Sequence, residues 1–222
     1  MHLMIIPDGD RRYAKKYNLT LAKAYEKAAE TAYNLVKWAL VNHGVTEYTF
    51  FSLSYANIKG RTQKELEPIF RSQANAFLRA SEDPFFKENG IKINAVGLKE
   101  CLPDYYQDAI KKAETATKNN TKKIFTPLVA YSGELDISTA VKKIVKQGGE
   151  ISPNSIFENC AISHPVDFLI RTANERRISD GPLLALKYTE FYFMDDLFPE
   201  LNKASIDKAL DEYNQRKRTY GT

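Results

Sequence analysis

The tract Ile5-Ile6-Pro7-Asp8-Gly9-Asp10-Arg11-Arg12 halts an apolar run at an acid, a glycine and two arginines. Those residue types suit a metal-bound phosphate. Asp8 can offer a hard oxygen to Mg²⁺, Gly9 lets backbone amides approach an anion, and Arg11 and Arg12 can fork onto phosphate oxygens. Read alone, the tract fits a strand followed by a solvated polar turn equally well. A second apolar run, Phe168-Leu169-Ile170-Arg171, ends in arginine and leads into Thr172-Ala173-Asn174-Glu175-Arg176-Arg177-Ile178-Ser179. Arg171, Arg177 and Ser179 offer guanidinium and hydroxyl donors to one phosphate group; a loop salt-bridged around Glu175 is the structural alternative. Two such strand ends in one chain point to a substrate carrying one or more diphosphates.

Positioning those ends requires a sheet. Apolar strands are expected at Leu3 to Ile6, Tyr48 to Leu53, Ile91 to Val96, Ile124 to Tyr131 and Phe168 to Arg171. Thr20 can cap a helix whose Tyr25, Ala28, Ala29, Ala32, Val36 and Ala39 follow a 3.6-residue period, with Gly44 stopping it after His43. Further helices are expected from Gln63 to Ala80, Pro103 to Thr117, Ile137 to Val145 and Ser205 to Arg218, with Pro103 in the first turn of its helix. This alternation predicts an α/β fold, a mostly parallel sheet flanked by helices, with ligands at the carboxyl ends of the strands. The segments that follow the strands, Asp8 to Arg12, Ser54 to Lys59, Ser132 to Glu134 and Thr172 to Glu175, should then share one rim.

With 222 residues, 43% of them hydrophobic, the chain can bury a substantial core as one domain over 1–222. A net charge of +4 does not demand nucleic acid, and Arg216-Lys217-Arg218 reads as the solvated end of a helix. Cys101 and Cys160 are isolated, and His2, His43 and His164 lack ligand spacing, so neither a zinc site nor a disulfide framework is expected and a reducing cytoplasm fits best. The start, Met1 to Ile6, is too short for a signal h-region, and no apolar stretch approaches the ~18 residues that span a bilayer. A soluble protein is expected, with peripheral membrane contact left open through an apolar substrate. Leu66, Ile69, Phe70, Ala74, Phe77 and Leu78, followed by Phe85 and Phe86, carry more large apolar surface than one helix needs against a sheet. Each fits a core position; together they can wall an apolar tunnel.

Asp8-Gly9-Asp10-Arg11-Arg12-Tyr13-Ala14-Lys15, Leu53-Ser54-Tyr55-Ala56-Asn57, Tyr131-Ser132-Gly133-Glu134-Leu135-Asp136-Ile137 and Ile170-Arg171-Thr172 through Tyr188-Thr189-Glu190-Phe191-Tyr192-Phe193 resemble, in order and spacing, the signature segments of the cis-prenyltransferases, the undecaprenyl diphosphate synthase family. The resemblance implies a homodimer with an apolar substrate tunnel in each subunit, and Mg²⁺ held by Asp8 and the bound diphosphates. It implies that Gly9, Asp10, Arg11 and Arg12 hold an allylic diphosphate, and that Arg171, Arg177 and Ser179 hold a second. Glu190 would approach the metal from the neighbouring subunit, and Asn57 would sit near the reacting carbons.

The chain departs from the family pattern around the reacting centre. Asp10 replaces the usual asparagine, Arg11 a glycine, Tyr13 a tryptophan, Ala56 a glutamate and Ile58 an aromatic; Leu21 and Tyr25 stand for an arginine and a histidine. Ser132 and Glu134 stand for a glycine and an arginine, and Thr219-Tyr220-Gly221 lacks the arginine of the usual C-terminal tripeptide. The expected reaction is condensation of an allylic prenyl diphosphate with a five-carbon diphosphate. The acceptor is isopentenyl diphosphate for cis elongation, or dimethylallyl diphosphate for an irregular, lavandulyl-like coupling. A catalytically silent subunit of a heterodimeric prenyltransferase is the alternative, opposed by the retained Asp8, Arg12, Asn57, Arg171, Arg177, Ser179 and Glu190. An unrelated phosphate-handling enzyme lacks support, since no Gly-x-x-x-x-Gly-Lys-Ser/Thr or Gly-x-Gly-x-x-Gly loop is present.

Overall fold

The computed structural model describes residues 1–41 and 43–217. Among them, β1 (His2–Ile6), β2 (Glu47–Phe51), β3 (Ile91–Ile93), β4 (Lys123–Leu128), β5 (Phe168–Arg171) and β6 (Glu190–Phe193) form one sheet in the order β3-β4-β2-β1-β5-β6. Every neighbouring pair is parallel. The central β1 and β5 are buried along their whole lengths, which is why they read as unbroken apolar runs. Alternation along β1 sends Leu3 and Ile5 to one face and Met4 and Ile6 to the other.

The helices are α1 (Asp10–Lys16), α2 (Leu21–Val41), α3 (Tyr55–Gly60), α4 (Gln63–Glu82), α5 (Pro84–Glu88), α6 (Asp104–Thr117), α7 (Gly133–Lys146), α8 (Pro153–Asn159) and α9 (Lys203–Gln215). The buried faces of α2, α4, α6 and α9 share the larger core with Leu3, Ile5, Phe168 and Ile170. On the opposite face Met4, Ile6 and Leu169 pack with Ile162, Val166 and Ala185.

All five expected strands form, with shorter carboxyl ends at β2, β3 and β4, because Ser54 and Tyr131, and Val96 and Leu128, meet only as isolated bridges. β6 was not expected. Thr20 caps α2 as expected, its Oγ1 accepting the Lys23 N–H at 3.3 Å. Helix α7 starts four residues before Ile137, because the Ser132 hydroxyl accepts the Leu135 N–H at 3.3 Å and sets the first turn. Pro103 is the cap of α6 and not a residue of its first turn. The end of the last expected helix is corrected too: α9 closes at Gln215, and Arg216 pairs with Glu190 and Glu212 at 3.0 and 2.6 Å instead of facing solvent. Arg218 and Thr219-Tyr220-Gly221 lie outside the described residues. No helix among the described residues is long and apolar enough to cross a membrane.

From β1 the chain steps to β2 on one side and later returns to β5 on the other, so the strand order reverses at β1. That is the place where a parallel sheet opens a crevice at its carboxyl ends. The register Ile6 to Arg171 sets Asp8 beside Thr172 on this rim.

Candidate active site

Asp8 is fixed by its backbone. Its N–H donates to the Thr172 hydroxyl oxygen at 2.7 Å, and that hydroxyl donates back to the Asp8 carbonyl at 2.9 Å. The chain then turns through Gly9 at φ 110°, where a Cβ would lie 2.9 Å from Leu197 Cδ2 and 3.1 Å from Leu197 Cα, so only glycine fits. The Asp8 carboxylate accepts the Gly9 N–H at 2.7 Å on Oδ1 and Arg171 Nη2 at 2.9 Å on Oδ2. Gly9 thus presents its amide to Asp8 rather than to an open anion site. Arg171 is only 2% exposed; burial presses its pKa down and Asp8 opposes the shift. Its Nε is buried with no protein partner, an unspent donor under the rim.

The second arginine cluster joins the first. Arg12 Nη2 lies 3.0 Å from Glu175 Oε1 and 3.6 Å from Asp8 Oδ1, while Arg177 pairs with Glu175 and approaches Asp8 Oδ2 at 3.9 Å. The salt-bridged loop around Glu175 therefore exists, but its cations also face Asp8. Ala173, Asn174, Ser179 and Asp180 all hold positive φ, between 49 and 65°. Such a concentration of left-handed non-glycine residues is backbone strain, held by the surrounding contacts.

These groups line the mouth of a cavity of about 750 Å³. Asp8 through Arg12, Asn57, Arg171, Arg177 and Ser179 all reach it, which unites nine sequence-predicted residues from three strand ends. Arg61 lines it as well and was missed, because it follows a glycine in a polar stretch with no motif around it. Five arginines there meet the carboxyls of Asp8, Asp10, Glu175 and Asp180. Arg11 and Arg61 carry no ion pair among the described residues, so positive charge is in surplus and suits a diphosphate.

Asp10 sharpens this surplus. Its Oδ1 is buried without a protein partner, and burial, with Asp8 adding repulsion, pushes its carboxyl pKa up to about 7. Where asparagine is usual, a protonated carboxyl likewise presents one donor and one acceptor. The raised value carries a stability cost: the folded state keeps this proton while the unfolded state loses it, so the contribution of this one group falls as pH rises from 3.8 and levels off above about 7. Asp10→Asn is therefore expected to stabilise the protein by an amount that is near zero at about pH 4, grows to about pH 7 and then levels off, at most on the order of 4 kcal/mol. Urea unfolding of both proteins across that range measures it; a difference that does not vary with pH would remove the buried-carboxyl account.

Asn57 enters the cavity from α3, whose start is fixed by the Ser54 hydroxyl accepting the Asn57 N–H at 3.1 Å. Tyr25 and Ala56, two of the departures from the family pattern, line the same mouth. Behind it the walls turn apolar. Tyr25, Ala28, Ala29, Ala32, Tyr33 and Val36 line the cavity from one face of α2, a stretch of roughly 16 Å at 1.5 Å per residue. Facing them are Ile69, Ala76, Phe77 and Ala80 of α4, with Phe86 of α5. The small residues on this face of α2 leave room beside it.

Two expectations need correction. Phe70 and Phe85 do not reach the cavity: Phe70 packs on Tyr106 at 6.1 Å, and Phe85 lies against Phe86 and beneath Lys37. Ser132 to Glu134 follow β4 on the expected rim without lining the cavity: the Gly133 N–H donates at 3.0 Å to the carbonyl of Asp180, which does line it. Glu190 pairs in register with Phe168 at the amino end of β6, on the opposite rim from Asp8, and holds Arg216 at 3.0 Å. Within one chain it cannot meet a metal at Asp8.

No cluster of three or more metal-ligating side chains occurs among the described residues. The mouth instead offers Asp8, one partly exposed carboxylate ringed by arginines. That donor set fits Mg²⁺ shared with substrate phosphates, since Mg²⁺ is commonly held by one or two carboxylates plus phosphate and water.

Known proteins are similar to this chain in architecture and sequence. A model of the family described as "Putative undecaprenyl diphosphate synthase" matches residues 6–221. The tritrans,polycis-undecaprenyl-diphosphate synthase (geranylgeranyl-diphosphate specific) of Pyrobaculum aerophilum is 32% identical over 229 residues, covering 99% of this chain and 95% of that protein. The isoprenyl transferase of Aquifex pyrophilus is 32% identical over 223 residues, with coverage of 99% and 95%. The structure of lavandulyl diphosphate synthase from Lavandula x intermedia, in complex with dimethylallyl diphosphate, matches with a TM-score of 0.91 at 31% identity, covering 100% of this chain and 98% of that one.

Proposed function

Since this chain belongs to the undecaprenyl diphosphate synthase family of cis-prenyltransferases and is a prenyl-transferring enzyme, we propose that it joins an allylic prenyl diphosphate of about fifteen to twenty carbons to isopentenyl diphosphate in cis. One observation carries this reading: a mouth with five arginines opens directly onto a continuous apolar wall along α2. A charged head and a hydrocarbon tail need that combination. The geranylgeranyl-diphosphate specificity named for the Pyrobaculum relative supports the upper end of the donor range.

In this reading Arg11, Arg12 and Asp10 hold the donor diphosphate, and Arg171, Arg177 and Ser179 hold the acceptor diphosphate. Asp8 would hold Mg²⁺ together with the diphosphates, and the ion would supply positive charge where the leaving group gains negative charge. The allylic carbon–oxygen bond breaks, the alkene of the acceptor forms the new carbon–carbon bond, and a proton then leaves the adduct to give the product double bond. The arginines act on charge that grows in the transition state, so they favour it over the ground state. Ala28, Ala29, Ala32, Phe77 and Phe86 exclude water that would otherwise capture the electron-poor carbon. Asn57, which lines the cavity, would contact the reacting groups.

A homodimer is part of the proposal. Among the described residues β6 ends the sheet with one unpaired edge, and Phe193, 43% exposed, stacks in parallel with Phe191 there. Glu190 lies on this strand, so a metal role for it requires the partner subunit. A silent subunit would have no use for the assembled mouth, with Asp8 held on both backbone and carboxylate, and we set that alternative aside.

A second reading is favoured by the likeness to lavandulyl diphosphate synthase and by Leu21, Tyr25 and Ala56, which remove charged or proton-carrying groups near the head. Dimethylallyl diphosphate would then serve as acceptor. Incubating the protein and Mg²⁺ with geranylgeranyl diphosphate and equal isopentenyl and dimethylallyl diphosphate, followed by mass spectrometry, separates the two. We expect isopentenyl condensation to dominate, with some irregular product; dimethylallyl coupling alone would reverse the assignment.

A further inference from the structure

Asp180 is out of character where it stands. It lines the mouth among five arginines that suit a diphosphate, yet its own charge opposes one. The bonds it makes point elsewhere, to the start of α7. Its Oδ1 accepts the Glu134 N–H at 3.2 Å and its carbonyl accepts the Gly133 N–H at 3.0 Å, so one residue satisfies the first two amides of that helix. The Ser132 hydroxyl takes the third, the Leu135 N–H. The carboxylate thus sits at the positive end of α7.

The segment held in this way is a tight turn. The Gly181 N–H donates to the Ile178 carbonyl at 3.0 Å, and both central residues are left-handed, Ser179 at φ 49° and Asp180 at φ 61°. That is the φ pattern of a type I′ turn, which favours Gly, Asn and Asp. Asp180 meets the preference; Ser179 does not, so contacts outside the turn must hold it there. The start of α7 supplies them. Gly133 lies so close that a Cβ on it would overlap the Gly181 carbonyl oxygen and sit 3.2 Å from Asp180 Oδ1. Ser179 reaches the cavity from this turn, so the turn aims its hydroxyl.

Resting on the proposed role of Ser179 at the acceptor diphosphate, we propose that Asp180 is a positioning residue: it latches the 178–181 turn to the amino end of α7 and thereby aims the Ser179 hydroxyl at the acceptor. Residues 132–134 then serve the site without lining it. The latch has an effect opposite in sign to that of bare charge. Removing a carboxylate that merely faced the diphosphate would tighten acceptor binding, whereas removing the latch weakens it.

Asp180→Ala, Asp180→Asn, Gly133→Ala and Ser179→Ala are each assayed with Mg²⁺, geranylgeranyl diphosphate and isopentenyl diphosphate, alongside a thermal melt. Asp180→Ala should raise the acceptor KM about 3- to 10-fold, the range of one lost hydrogen bond, with kcat and the donor KM within about twofold of wild type. Asp180→Asn keeps an oxygen for the Glu134 N–H and should show an acceptor KM at or below that of wild type. Gly133→Ala, which changes no residue of the mouth, should raise the acceptor KM as Asp180→Ala does. Adding Asp180→Ala to Ser179→Ala should raise it no further than Ser179→Ala alone, because the latch acts through the hydroxyl already removed. An acceptor KM that falls in Asp180→Ala, or that stays at the wild-type value in both Asp180→Ala and Gly133→Ala whatever the melts show, would overturn the latch. A wild-type acceptor KM in Ser179→Ala would take that hydroxyl out of the acceptor site, and the latch with it, while leaving prenyl transfer standing. A wild-type protein that forms no prenyl product overturns the proposed function itself.

Discussion

Replacing Asp8 with alanine is expected to lower kcat by at least ~10²-fold while the protein remains folded. The fold should survive because Asp8 is held through its backbone, by reciprocal bonds with Thr172 at 2.7 and 2.9 Å that do not involve the carboxylate. What disappears is the anionic group that joins Arg171, Arg12 and Arg177 and that the proposed mechanism uses to hold Mg²⁺. Losing a charge interaction aimed at the leaving group removes stabilisation of the transition state more than binding of the ground state. Asp8→Asn serves as a control: it retains an acceptor for the Gly9 N–H but loses the charge, and should lose activity similarly. Steady-state kinetics with a thermal melt on each variant measures both halves. A folded Asp8→Ala protein with near-normal turnover would take Asp8 out of the mechanism.

Arg171→Met should produce the second large effect, roughly a 10- to 100-fold rise in KM for the five-carbon acceptor, corresponding to a lost charged hydrogen bond of ~1.5–3 kcal/mol. Methionine keeps much of the buried volume at a site only 2% exposed. The Nε of Arg171, buried without a protein partner, is the donor proposed to meet a phosphate oxygen. Arg177→Ala should act in the same direction but more weakly, because its guanidinium is largely exposed. Arg12→Ala should raise KM for the allylic donor instead. If the donor KM rose in all three variants and the acceptor KM in none, the proposed division of the mouth into two diphosphate sites would be wrong.

Much of this site is legible in the sequence because its chemistry is local. Asp8 to Arg12 and Arg171 to Ser179 follow buried strands directly, and parallel topology forces such segments onto one rim. What the sequence concealed has physical causes. β6 is half-buried or exposed throughout, at a sheet edge, so it lacks the buried apolar run that marks β1 and β5. Helices α1, α3, α5 and α8 are five to seven residues long, too short to show an apolar period. Phe70 and Phe77 lie on the same helix, yet only Phe77 faces the cavity, a distinction set by how α4 rotates against α6. The bond from the Glu134 N–H to Asp180 joins residues 46 apart, and neither announces the other. The charge of Asp10 was equally hidden, since burial rather than residue type decides it.

The central claim is that this cavity runs cis-prenyl transfer, and the geometry of the newly made double bond tests it most directly. The protein is incubated with Mg²⁺, geranylgeranyl diphosphate and ¹³C-labelled isopentenyl diphosphate, and the dephosphorylated product is analysed by NMR against cis and trans standards. The account predicts a Mg²⁺-dependent condensation product whose new double bond is cis. A new bond that is trans, or a folded protein that yields no condensation product with any allylic donor, would contradict it.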